Sequence, residues 1–170
     1  MNNLALKSNK IKTVTIAYSA MLIALSYVGS LIKVQGSIAF DSMPAFFGAL
    51  LLGPAWGGVI GFVGHLLTAV TSGFPMTLPM HAVIAVQMAF FVFAFGWLCK
   101  KTNYYVSGSV ATILNGPGAA LVAVPFSMLF NLPLSGWALF KIVIIPLTLA
   151  SAANVLLAVM LYKIIGNRIK

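Results

Sequence analysis

The chain contains a single acidic side chain, Asp41, among 170 residues, together with ten Lys and Arg residues. Charged residues make up 6% of the chain and hydrophobic residues 61%, whereas a soluble domain carries about a quarter of its residues as charged side chains. The mean hydropathy of +1.06 also argues against a disordered chain. The composition therefore predicts a protein that exposes most of its surface to lipid.

Six apolar segments follow one another along the sequence. A helix needs about 20 apolar residues to cross the hydrocarbon core, and lipid forces its backbone to satisfy its own hydrogen bonds. Segments of alternating polarity, the pattern of a membrane barrel, are absent. The apolar segments comprise residues 13–31, 38–52, 54–71, 77–99, 105–130 and 137–165, of which the second is short. The sequence predicts one all-α domain over residues 1–170, a bundle of six transmembrane helices that begins with a short basic segment, residues 1–12.

The basic residues predict the orientation of this bundle, since cytoplasmic loops carry more Lys and Arg than external loops. With the N-terminus in the cytoplasm, six crossings put eight of the ten basic residues on the cytoplasmic side. These eight are Lys7, Lys10, Lys12, Lys100, Lys101, Lys163, Arg168 and Lys170. Both termini are therefore predicted to be cytoplasmic, in a multi-pass protein of the cell membrane. The basic residues are too scattered for a nucleic-acid surface.

The polar side chains that this topology does not require gather at the outer end of the bundle. Ionisable groups at membrane depth usually line cavities or pair with one another. We therefore predict an outward-facing substrate site formed by Lys33, Gln35, His81, Asn131 and Lys141. The alternative is that these residues meet headgroups and water, with the Lys141 side chain extended toward the interface.

Two predicted helices carry faces of small residues, which let membrane helices approach closely. In the first helix Ala17, Ala20 and Ala24 recur at three- and four-residue spacing, and in the third Gly57 and Gly61 do the same. For the third helix we expect packing inside the bundle. For the first, internal packing and docking to another membrane protein both remain open.

Four polar side chains lie near the middle of predicted helices, and we expect them to be neutral hydrogen-bond partners between helices. They are His65, Gln87, Asn115 and Asn154. The break in the fifth segment at Pro117 has two interpretations, a plain kink or a discontinuous helix that lines a cavity.

The sequence excludes most catalytic chemistry. With one carboxylate it cannot form a carboxylate pair, and no catalytic triad or cluster of metal ligands can be assembled. We therefore predict no enzyme, no catalytic residue and no metal site. The sequence also lacks the phosphate-binding loop of an ATPase and the mid-membrane carboxylate typical of proton-coupled carriers. This favours a binding subunit powered by other chains, and leaves open whether Asp41 is structural or contacts a ligand.

The connection Leu-Gly-Pro-Ala-Trp-Gly-Gly at residues 52–58 resembles that of the substrate-binding (S) components of energy-coupling factor (ECF) transporters. The resemblance extends over the chain in the six predicted helices, the basic N-terminal segment and the pair Ala20-xxx-Ala24. It implies a protein of the prokaryotic cytoplasmic membrane that binds a vitamin or a vitamin precursor from outside, under a cap formed by the first outer loop. The five outer residues named above would then belong to the pocket or its lid.

The resemblance also implies partners. Ala17, Ala20 and Ala24 would dock the chain to a transmembrane coupling protein, which is driven by two ATPase subunits. Those subunits use the ATP, so this chain needs no cofactor of its own.

The ligand is predicted from residues 64–81, Gly-His-Leu-Leu-Thr-Ala-Val-Thr-Ser-Gly-Phe-Pro-Met-Thr-Leu-Pro-Met-His, which are most similar to members assigned to α-ribazole, a cobalamin precursor. That ligand, an apolar base on a sugar, suits apolar walls with a few hydrogen-bonding groups. Lys33 and Lys141 instead favour an anionic vitamin such as pantothenate or folate, and cobalamin or another vitamin also stays open. Outside this family, the alternatives are a small ion-coupled carrier and a membrane scaffold without a small-molecule site.

Overall fold

The protein is built almost entirely of helices. A computed structural model describes the backbone of residues 2–166 and the side chains of residues 12–166. The predictions for the side chains of Lys7 and Lys10, and for Arg168 and Lys170, lie outside this described part. In chain order the elements are α1 (Asn2–Ser30), β1 (Lys33–Gln35), β2 (Ile38–Ala39), α2 (Met43–Leu51), α3 (Pro54–Thr71), α4 (Leu78–Leu98), α5 (Tyr104–Ile113), a π-helical turn (Leu114–Gly118), α6 (Ala119–Leu129), α7 (Gly136–Leu161) and a second π-helical turn (Tyr162–Gly166).

Within the described part, five helical stretches are long and apolar enough to cross a membrane, and they match five of the six predicted segments. These stretches are Lys12–Ser30, Pro54–Thr71, Leu78–Leu98, Tyr104–Leu129 and Gly136–Gly166. The second predicted segment, residues 38–52, differs, because it forms strand β2 and the nine-residue helix α2. A helix of that length is roughly 14 Å long. The multi-pass helical fold is therefore confirmed, while the count of six crossings stays a prediction.

Helix α2 lies in the centre of the bundle. Ala45 and Phe46 are fully buried, and the Phe46 ring meets the Phe95 ring of α4 edge-on, with 5.2 Å between centroids. Since α2 packs against α1, α3, α4 and α7, its apolar residues face protein rather than lipid. This explains why a hydropathy pattern that looks like a membrane span belongs to a short core helix.

The glycines and the proline of the 52–58 connection are explained by the turn between α2 and α3. Gly53 adopts φ +103°, a conformation that favours glycine, and Pro54 begins α3 at a position where its missing N–H costs nothing. A Cβ on Gly57 would lie 2.6 Å from the Cα of Ala49, and one on Gly58 would lie 2.9 Å from the carbonyl oxygen of Ala89. The glycines therefore allow α3 to contact α2 and α4 backbone to backbone, as expected for this helix.

The loops collect at two ends of the bundle. At the hairpin end, Lys33 Nζ donates to the Thr71 carbonyl oxygen at 3.1 Å, and residues of three connections, Gln35, Pro75 and Leu134, line one groove, the hairpin groove. At the other end, Gly53 and Lys100 line a common groove with residues at the beginning of α5 and after α7. The connections that the sequence assigns to the outer side therefore do lie together.

The close α2–α3 contact predicts that Gly57→Ala destabilises the protein. Overpacking of this kind costs about 1–3 kcal/mol, so the thermal midpoint of the purified protein in detergent should fall by several degrees. The matched control is Gly108→Ala, where a new Cβ would lie 3.3 Å from the end of the Val155 side chain. A Gly108→Ala variant that loses as much stability as Gly57→Ala would contradict this account.

Candidate substrate-binding cavity

A cavity of about 90 Å³ lies inside the bundle, close to the hairpin end. Its roof includes Ser37, Ile38 and Ala39 of the hairpin, and its walls come from α3, α4, α7 and the helix that contains the π-helical turn at 114–118. Most of the lining is apolar. Representative apolar residues are Met76, Ile84, Met88, Ala120, Leu139 and Val143.

Asp41, which precedes α2, contributes a carboxyl group to the cavity. Thr68 Oγ1 donates to Asp41 Oδ2 at 2.5 Å, and backbone hydrogen bonds from Asp41 and Ser42 add to this. No Lys or Arg side chain in residues 12–166 forms an ion pair with the Asp41 carboxyl. Asp41 is thus a carboxyl group without a cationic partner in the described part of the chain.

Asn154 of α7 holds the segment that carries Asp41. Its Oδ1 accepts from the Met43 backbone N–H at 2.8 Å, and its Nδ2 donates to the carbonyl oxygens of Ala39 and Ala150 at 3.2 and 2.8 Å. The side chain is 1% exposed. The prediction that Asn154 is a neutral hydrogen-bond partner is therefore confirmed, and its particular role is to fix both ends of the connection between β2 and α2.

His65 lines the cavity and hydrogen-bonds His81. The His65 Nε2 and His81 Nδ1 atoms are 3.2 Å apart, and the edge of Phe74 packs against the His81 ring. His81 itself is fully buried, and its Nε2 has no partner among the described residues. The prediction of His65 as a partner between helices is confirmed, whereas His81 lies behind the cavity wall rather than in its lining.

The opposite wall carries two polar side chains without hydrogen-bond partners in the described part of the chain. Asn115, in the π-helical turn, is 6% exposed, and Ser151 of α7 is 1% exposed; both line the cavity. Pro117 lacks the N–H that would complete a regular α-helix, and such a turn is a common response to a lost bond. The helix is continuous through this turn, from Tyr104 to Leu129, so the prediction of a discontinuous helix is wrong, although this helix does line the cavity. Asn115 faces the cavity instead of forming the predicted hydrogen bond to a neighbouring helix.

The other residues predicted for the site lie elsewhere. Lys33, Gln35, Asn131 and Lys141 are exposed, and none of them lines the cavity. Gln35 lines the hairpin groove, a separate space of about 170 Å³. The structure therefore does not bring the predicted set together, and the part these residues play in binding stays a prediction. Of the polar cavity residues, Asp41 was left open as structural or ligand-binding, while Ser151 was not predicted and has no local signal in the sequence.

The small-residue face of α1 points away from the bundle. Ala17, Ala20 and Ala24 are all exposed. The buried side chains in the described part of this helix lie on its other side; they are Ser19, Leu22, Ser26 and Ser30. Internal packing therefore does not explain the face in this chain. Its use as a docking surface stays a prediction.

A multi-pass helical bundle with an internal, partly polar cavity is the architecture of a small-molecule-binding membrane protein. The family model described as the substrate-specific component of ECF transporters matches residues 14–166 of the chain. The chain belongs to this family, so it is a membrane transport subunit that binds substrate and associates with an ECF module, and not an enzyme. Searches of curated proteins and of solved structures found no match.

The anchoring role of Asn154 predicts that Asn154→Ala lowers stability. The change leaves a buried backbone N–H and a carbonyl group without partners, at about 1–3 kcal/mol for each unsatisfied group. We expect a clear fall in the thermal midpoint. Asn103→Ala is the control, because this exposed asparagine only caps α5 through Val106 N, which is worth about 1 kcal/mol. An equal or larger fall for Asn103→Ala would count against the anchor.

Proposed function

We propose that this chain is the vitamin-binding subunit of an ECF-type importer, and that its ligand is a vitamin or vitamin precursor, with α-ribazole as the best candidate. The observation that carries the proposal is the cavity, where the Ser151 hydroxyl is buried without a partner in the described part of the chain and the Asn115 amide lines the same space. Buried polar groups of this kind cost free energy unless something bonds them. A ligand with a few hydrogen-bonding groups on an apolar body would bond these polar side chains and pack against the apolar lining.

The hairpin serves as the cap of this site. A cavity of about 90 Å³ is small compared with ligand sites, which usually measure about 300–1,000 Å³. The hairpin groove lies next to it and shares lining residues, among them Ile38, Met76 and Leu139. A shift of Ile38 and Met76 would join the two spaces, so substrate enters from the hairpin end. Gln35 and the other predicted outer residues then act at this entrance.

The orientation with both termini in the cytoplasm agrees with the distribution of charge. Lys100 and Lys163 lie at the end of the bundle opposite to the hairpin, where cytoplasmic loops carry positive charge. Helix α2 and the connection before it supply the sixth crossing, since they run from the hairpin end to the turn at Gly53. The hairpin end therefore faces outward, in a prokaryotic cytoplasmic membrane.

Transport requires partners. The exposed face of Ala17, Ala20 and Ala24 docks onto the coupling protein, because small residues allow two membrane helices to approach closely. Two ATPase subunits supply the energy by using ATP, and this chain carries no cofactor.

The binding role predicts one-to-one binding without nucleotide. We expect α-ribazole to raise the thermal midpoint of the purified chain and to bind with a stoichiometry of one in calorimetry. Asn115→Ala should weaken binding by about 5- to 100-fold, the effect of one lost buried hydrogen bond, while Asn103→Ala, outside the cavity, should not.

Other outcomes separate the alternatives. If folate, pantothenate, cobalamin or another vitamin binds and α-ribazole does not, the ligand is wrong but the role stands. If no vitamin binds at all, a scaffold without a small-molecule site becomes the better interpretation.

The docking role predicts that Ala20→Trp combined with Ala24→Trp abolishes uptake by the reconstituted transporter and leaves substrate binding unchanged. The matched control is Ala82→Trp combined with Val86→Trp, an exposed pair at the same spacing on α4. This control should transport normally. Uptake by the chain in vesicles without its partners would instead identify an ion-coupled carrier.

A further inference from the structure

We infer that the cavity selects a neutral or positively charged substrate, which presents an O–H, N–H or cationic group to the Asp41 carboxyl, and that it rejects anionic vitamins. This inference rests on the proposed function, since it names the chemical class of the ligand at the same site.

The charge of the lining supports this selection. Asp41 is the only Asp, Glu, Lys or Arg side chain among the residues that line the cavity. Lys33 and Lys141 are exposed, and the Lys33 ammonium group already donates to the Thr71 carbonyl oxygen. Interactions between charges are strong inside the bundle, where water does not screen them, and weak at the surface. A carboxylate on the ligand would therefore meet repulsion from Asp41 without compensation from a lysine.

The Asp41 carboxyl has capacity for a further donor. A carboxylate offers about four lone-pair sites, and the described donors are Thr68 Oγ1 and the backbone groups of Asp41 and Ser42. Because Asp41 lines the cavity, the lone-pair site that these donors leave unused is accessible to a ligand. An O–H or N–H donor or a cation from the ligand would form a charge-assisted hydrogen bond there, and such bonds are stronger than neutral ones.

The opposite wall completes the recognition without adding charge. The Asn115 amide can donate and accept, and the Ser151 hydroxyl can do the same, so both suit neutral polar groups such as hydroxyls or ring nitrogens. Between the two polar sides the walls are apolar, with Met76, Met88 and Leu139 among them. The substrate class is thus a compact ring system with a donor or positive charge on one side and neutral polar groups on the other.

A purely structural role for Asp41 is the competing explanation, because its bond to Thr68 also ties the beginning of α2 to α3. Asp41→Asn distinguishes the two roles. The amide oxygen of asparagine can still accept from Thr68, so the tie remains while the negative charge is removed. Thr68→Val does the reverse, since it removes the donor and keeps the carboxyl group.

The experiment uses the intact chain in lipid nanodiscs and measures thermal midpoints over concentration series of four probes. These are thiamine as a cation, α-ribazole as a neutral compound, and pantothenate and folate as anions. We expect stabilisation by the cationic or the neutral probe and none by the anions at millimolar concentration. Asp41→Asn should weaken the binding of the stabilising probe by about 10- to 100-fold, as expected for one charge-assisted hydrogen bond. Asn103→Ala, an exposed position outside the cavity, should leave it unchanged.

Each other outcome has a defined meaning. Tightest binding of pantothenate or folate would overturn the inference and leave the proposed binding function standing. Unchanged affinity of Asp41→Asn, with a lowered ligand-free midpoint in Thr68→Val, would assign Asp41 a structural role only. If no probe and no other vitamin binds, the proposed function fails and the inference fails with it. If Asp41→Asn does not fold, the comparison of the four probes on the unchanged protein still decides the question.

Discussion

The side chain of Asn154 is the interaction on which the rest of the site depends. Between β2 and α2 the backbone leaves regular structure inside a protein that is surrounded by lipid, where unpaired N–H and C=O groups are costly. Asn154 bonds the backbone at Ala39 before this connection and at Met43 after it. Because both ends are fixed to α7, the residues between them have defined positions, and Asp41 is held at the cavity. A hydrogen bond between elements far apart in sequence therefore places the one carboxyl group of the protein.

The same connection explains the position of α2. Once Met43 is fixed, the nine residues of α2 run through the centre of the bundle and end at Leu51. Two residues later, the positive φ of Gly53 turns the chain directly into α3. Gly57 then lets α3 lie against Ala49 of α2. The small residues of α3 are used inside the molecule, whereas those of α1 remain on its surface. One chain thus contains two small-residue faces with different uses, and only packing distinguishes them.

Much of the fold could be predicted from the sequence, because hydropathy reports where backbone must be helical in lipid. The five long helices follow from the hydropathy of their segments. The hydrogen-bonding role of Asn154 follows from the position of a polar side chain near the middle of such a helix. The nature of α2 could not be predicted, since an apolar segment reads the same whether it faces lipid or protein. The family could be predicted from the 52–58 connection, because its glycines and proline meet backbone requirements that few other residues satisfy. The polar wall at Asn115 was partly foreseeable from the break at Pro117.

The predicted binding residues show a further limit of sequence reasoning. Topology gives the depth of a residue along the membrane normal, but not the side of the helix on which it lies. Lys33, His81 and Lys141 share a depth with the cavity, yet two are at the surface and one lies behind its wall. Counting charge along the sequence gives Lys33 and Asp41 equal weight, whereas solvent screens the first and burial strengthens the effect of the second. The proposed preference for a neutral or cationic ligand therefore depends on the carboxyl group that lines the cavity, whereas the two exposed lysines were the reason to keep an anion as the alternative to α-ribazole.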